Sequence, residues 1–162
     1  MRVPKYIRYF MGADFRAIEG VNAHFDMLDF LKPDFKCKVE NRAGCYIISA
    51  VDKSIEYPKG KSPIIYIGLS SHLYTRLYSD HFCKNLKILI DNPDYGLESN
   101  RKMIRMMQDK YQYMYYLGAR VDVFYCKGTQ SAKEFESSLI ASFYEKYRSM
   151  PVGNGARSFS QK

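Results

Sequence analysis

Two charged side chains in this sequence fall on or beside apolar helix faces, and both types can handle phosphate or metal chemistry. The first is Glu136 in "SAKEFESSLIASFYEKYRSM", which reads as a helix opened by a Ser131-x-x-Glu134 capping box. At roughly 100° per residue, with Phe135 set at about 0°, Leu139 falls at about 40°, Phe143 at about 80°, Tyr147 at about 120° and Ile140 at about 140°. Glu136 lies at about 100°, inside that apolar stripe, while Glu134 and Glu145 project the other way. A carboxylate there is costly unless it is paired, hydrogen-bonded or bound to a metal. The plain alternative is a carboxylate that reaches round to solvent or meets an arginine at the edge of the core.

The second is Arg76 in "SPIIYIGLSSHLYTRLYSDHF", a short strand, a glycine, two serines and a helix with Ser70 or Ser71 as its N-cap. Leu73 and Leu77 define the inner face of that helix and Arg76 lies at its edge. A surface pair with Asp80 is the competing reading, although arginine before the acid is the less favourable order.

The elements that must position these groups follow from periodicity. Residues 1–40 form a lead-in, with Phe15, Ile18, Phe25, Leu28 and Leu31 at near-helical spacing before Pro33, so a helix is expected there. "NRAGCYIISAV" and "PIIYIG" read as two strands of a hairpin, joined by a charged loop "DKSIEYPKGKS". "SNRKMIRMMQDKYQYMYYLG" spaces Met103, Met107, Tyr111 and Met114 on one helical face and stops at Gly118. "RVDVFYCKG" is a third strand, and "PVGNGARSFSQK" an irregular tail.

With 162 residues, 46% of them hydrophobic, the chain is the size of one domain with its own core. No apolar run approaches the ~20 residues of a membrane span, and "MRVPKYIRYF" has no apolar signal core. A cytoplasmic protein without a membrane partner is therefore expected. Cys37, Cys45, Cys83 and Cys126 form no Cys-x-x-Cys pair, which argues against a zinc site and for reduced thiols in or near the core. The net charge of +8 favours a polyanionic partner. Fifteen tyrosines can stack on bases, although most tyrosines are half-buried packing residues.

In order along the chain, Gly44-Cys45-Tyr46, Tyr66-Ile67-Gly68, Arg76, "ESSLI" with Glu136, and Pro151-x-x-Asn154 together resemble the GIY-YIG nuclease superfamily. The second tripeptide matches outright, and Arg76 follows Tyr66 at the family's common spacing (76 − 66 = 10). The resemblance spans about residues 42 to 156. Cys45 stands where the family usually has isoleucine, on the side of its strand away from Tyr46. The tyrosines are further apart than in minimal members (66 − 46 = 20), as in the family's stand-alone restriction enzymes. His81 follows Arg76 by five positions instead of the commoner four (81 − 76 = 5), so a packing histidine competes with a catalytic helper.

The resemblance implies a single α+β domain, a small three-stranded antiparallel sheet flanked by helices, here with a helical N-terminal extension. It implies a metal-dependent DNA endonuclease, restriction-type or mobile-element-associated. Tyr46 would be general base, Tyr66 would orient water or phosphate, and Arg76 would bind a phosphate oxygen. Glu136 would hold one Mg²⁺ or Mn²⁺ ion, Asn154 would hold the site together, and His81 would assist. Lys59, Lys61, Arg101, Lys102 and Arg105 are candidate contacts to double-stranded DNA. Symmetric double-strand cutting would call for a homodimer. The rival reading is a catalytically inactive nucleic-acid-binding module on the same fold.

Overall fold

A computed structural model describes residues 23–26, 29, 32, 38–51, 53–80 and 119–154. Among them are strands β1 (Ala23–Asp26), β2 (Gly44–Ala50), β3 (Ile55–Tyr57), β4 (Gly60–Ser62), β5 (Ile64–Ser70) and β6 (Ala119–Tyr125). A π-helix follows β5 over Thr75–Asp80, and helix α1 spans Thr129–Tyr147. The main sheet is antiparallel, in the order β1-β6-β2-β5, with β3 and β4 as a separate hairpin.

β2 is central, and all seven of its residues, GCYIISA, are buried. Its β-branched residues suit a pleated strand packed on both faces. One face, with Tyr46, Ile48 and Ala50, joins Val121, Val123, Leu73 and Leu77 in a core. The other, with Cys45 and Ile47, joins Ile67, Phe124 and the α1 stripe Ala132, Leu139, Phe143 and Tyr147. The apolar face expected for the last helix is thus the one it buries. Cys45 points into this second layer, where its Sγ donates to Ala132 O at 3.1 Å. Cys45 and Cys126 carry free thiols, whereas Cys37 and Cys83 lie outside the described residues.

Four expectations need correction. The main sheet has four strands, not three. Its extra member, β1, comes from the stretch expected to be helical: Ala23 pairs with Val123 and Phe25 with Val121. The period-two pattern of Ala23, His24, Phe25 and Asp26 fits a strand, and β1 covers the edge that β6 would otherwise leave open. The rest of the expected N-terminal helix, and the one over residues 99–118, lie outside the described residues. The loop between β2 and β5 contains the β3–β4 hairpin, closed by a two-residue turn at Pro58 and Lys59 with Tyr57 opposite Gly60. Finally, α1 starts at Thr129 with Gly128 as N-cap and no side-chain cap, so Ser131 lies inside the helix and makes no capping box.

Candidate active site

The site is built on the β2–β5 pairing, which sets Tyr46 opposite Gly68 and Ile48 opposite Tyr66. Regular alternation would send Ile64 and Tyr66 to the same side of the sheet. They go to opposite sides because the register shifts between Ile48 and Ser49: Ile48 faces Tyr66 while Ser49 faces Ile64. Ile65 is the extra residue of a β-bulge. Ile65 and Tyr66 therefore both meet the Tyr46 core, while Ile64 and Ile67 meet the α1 core.

The bulge brings the two phenol rings to one face, with centroids 5.8 Å apart and planes tilted by 37°. They share the surface left bare by Gly68. A Cβ there would lie 2.6 Å from Tyr66 Cε1 and 2.7 Å from both Cζ and the hydroxyl of Tyr46. Gly44, two residues before Tyr46 at the start of β2, is also tightly enclosed: a Cβ there would run into the Phe124 carbonyl and lie 2.7 Å from Leu73 Cδ1.

Arg76 reaches the tyrosines from the π-helix, a winding found frequently at functional sites. The start of the helical segment is held by the loop before β2. Leu73 N donates to Arg42 O at 3.0 Å, and Thr75 N and Oγ1 donate to Asn41 Oδ1 at 3.2 and 3.3 Å. Ser70 Oγ accepts from His72 N at 3.0 Å in the turn before the helix, but the first helical bond runs from Arg76 N to His72 O at 3.0 Å, so neither Ser70 nor Ser71 is the N-cap expected from the sequence. Leu73 and Leu77 are buried, and Arg76, half-buried beside them, hydrogen-bonds both phenols. The Asp80 side chain lies outside the described residues.

Glu136 comes from α1, half-buried as its place on the helix wheel implied. It is near enough to Tyr66 for its charge to oppose ionisation of that phenol. Burial raises the Glu136 carboxyl above its usual range. Burial also raises Tyr46 well above its ordinary value, and the neighbouring Tyr66 adds to this, with Arg76 pulling the other way. Tyr66 is raised by burial too, again opposed by Arg76. Both phenols are therefore protonated at neutral pH in the free protein.

Tyr46, Tyr66 and Arg76 thus form one cluster, and Glu136 acts on Tyr66 through its charge. Asn154 stands apart from the cluster, on the outer edge of β5. Its Oδ1 accepts from Ile67 N at 3.0 Å and its Nδ2 donates to Ile67 O at 2.8 Å, so the amide acts on the backbone beside Tyr66. Lys59 and Lys61 are exposed on the β3–β4 hairpin, Lys61 in an ion pair with Glu56 at 3.1 Å. His81, Arg101, Lys102 and Arg105 lie outside the described residues. The sequence reading missed Asn41, the Ile65 bulge and the hairpin's own contacts. An asparagine shortly before a strand, or three apolar residues in a row, gives no local sign of such roles.

Among the described residues no three His, Cys, Asp or Glu side chains converge as a metal-binding group. A lone half-buried carboxylate such as Glu136 suits a hard, largely hydrated ion such as Mg²⁺, which takes only one or two carboxylates. Comparisons of the chain with protein-family models, curated proteins and solved structures gave no match. The functional reading therefore rests on the residues themselves.

Proposed function

We propose that this protein is a metal-dependent DNA endonuclease of GIY-YIG type, restriction-type or mobile-element-associated. One observation carries the reading: Tyr46 and Tyr66 share the surface over Gly68, Arg76 acts on both phenols, and the half-buried Glu136 is near enough to Tyr66 to oppose its ionisation. A structural core has little use for a guanidinium between two buried phenols with a half-buried carboxylate acting on one of them.

In this reading Arg76 binds a non-bridging phosphate oxygen, where its fork and permanent charge suit the developing charge. Glu136 holds the Mg²⁺ or Mn²⁺ ion, which when bound supplies Lewis-acid charge at the phosphate and the leaving oxygen. Tyr46 would accept the proton of the attacking water only as phenolate, so its own proton must first pass to solvent, a loss that Arg76 favours and burial opposes. Tyr66 orients the water, and Asn154 keeps β5 in place. Two copies of the chain, one per strand, would account for symmetric double-strand cutting.

The test is plasmid cleavage by the full chain with Mg²⁺ or Mn²⁺, against EDTA and against Glu136→Ala. Wild type is expected to nick only with metal, and the variant to be slower by about 10²-fold or more. Equal nicking by both would remove Glu136 from the mechanism. Retained DNA binding with no cleavage under any metal would instead favour the inactive binding module.

A further inference from the structure

β5 ends the main sheet, so its outward backbone groups need partners from outside the sheet. The segment Pro151–Asn154 supplies them at Ile65 and Ile67. Gly153 N donates to Ile65 O at 2.7 Å, and the Asn154 amide takes both backbone groups of Ile67. The backbone on each side of Tyr66 is therefore tied to this segment. The Ile65 carbonyl belongs to the bulged residue, so the segment grips the irregularity that turns Tyr66 toward Tyr46.

At the head of this row stands Tyr57, on the β3–β4 hairpin. Its hydroxyl donates to Ile64 O at 2.7 Å and accepts from Val152 N at 3.0 Å. One oxygen thus joins β5 to the segment that clamps it. The ring is anchored on α1, with its centroid 5.0 Å from Phe143, edge-on at 82°, and 5.7 Å from Tyr147. The hairpin is further fixed by Lys59 N donating to Tyr147 O at 3.3 Å.

We infer that Tyr57 is a positioning residue for the candidate site: its hydroxyl pins Pro151–Asn154 against β5, and that segment holds the bulge that aims Tyr66 at Tyr46 and Arg76. The catalytic consequence rests on the endonuclease reading, whereas the mechanical one does not. The competing account is a tyrosine that merely fills space between Phe143 and Tyr147. Tyr57→Phe separates the two, because it keeps the ring and removes both hydrogen bonds.

Full-length wild type, Tyr57→Phe, Asn154→Ala and the double variant are compared in Mg²⁺-dependent plasmid nicking, well below their unfolding temperatures. Each single variant is expected to lose about 10- to 100-fold in kcat with KM changed by no more than about 2-fold, the signature of misplaced groups. The double variant is expected to be no slower than the worse single one, since both residues act through one segment. A wild-type kcat for Tyr57→Phe, or a double variant whose losses multiply, would overturn the inference. Amide exchange at Ile67, read without DNA, gives an independent answer. Tyr57→Phe should exchange at least about 10-fold faster there, and wild-type protection would likewise overturn the clamp. If wild type cuts nothing with Mg²⁺ or Mn²⁺, the endonuclease reading falls and exchange at Ile67 alone decides the clamp.

Discussion

Glu136 is half-buried on α1, and burial alone raises its pKa, so it bears on both stability and function. Near pH 3, about a unit below the unfolded value, both states hold the proton and the group contributes nothing to pH dependence. As pH rises, the unfolded chain ionises first and stability falls, until the folded carboxyl also ionises and the penalty levels off. Glu136→Gln removes this penalty. The variant should therefore melt above wild type at about pH 7 and match it near pH 3, as thermal unfolding across pH would measure. Added Mg²⁺ should raise the melting temperature of wild type and leave that of Glu136→Gln unchanged. A melting difference that ignores pH would refute the claim that desolvation governs this carboxylate. A side chain that costs stability when empty and gains it when loaded is what a binding site requires and a packing position does not.

At the scale of elements, the β2–β5 pair determines whether the tyrosines share a face. Gly68→Ala tests this directly, because the added Cβ would meet both phenol rings at 2.6–2.7 Å. The strand or the rings must shift, at a cost of about 1–3 kcal/mol by urea unfolding. Nicking should fall by about 10²-fold, since a displacement on the order of 1 Å is enough for that. Unchanged nicking would mean that the phenols need not share the surface of Gly68. The strands that carry the site, β2, β5 and β6, and the helix that carries Glu136 were legible in the sequence, because each is either rich in β-branched residues or has a clear apolar stripe. So were Tyr46, Tyr66, Arg76 and Glu136 as candidates, although the approach of the first three to one another was not visible from periodicity. What stayed hidden was long-range. Ala23–Asp26 is a strand because β6 offers it an edge, and Phe25 fits a helical face or an alternating strand equally well. Ile55–Tyr57 is too short to declare itself. The bulge at Ile65 exists because two cores compete for "PIIYIG", and one strand's sequence does not reveal how such a contest ends.

For the whole molecule, the net charge of +8 bears on how a polyanion would be met. Phosphate contacts by lysine and arginine release counterions, so binding to any duplex should weaken steeply with salt. With about four such contacts, affinity should fall on the order of 10²-fold between about 50 and 200 mM salt, as measured by fluorescence anisotropy on a labelled duplex. An affinity indifferent to salt would remove the nucleic-acid reading, catalytic or not. Among the described residues no helix is long and apolar enough to cross a membrane, and Lys59 and Lys61 on the β3–β4 hairpin are exposed.

The closure of β5 by residues 151–154 also sets an order of events during synthesis. Tyr46, Tyr66, Arg76 and Glu136 all leave the ribosome before the segment that fixes the backbone around Tyr66. A nascent chain that has reached Met150 holds every reactive side chain of the cluster, yet β5 still has an open edge that can pair with another chain. A chain stopped at that residue should associate on size-exclusion chromatography and cut poorly, whereas extension through Asn154 should cure both defects. For a protein read as cutting DNA, this timing would delay competence until the sheet edge is sealed.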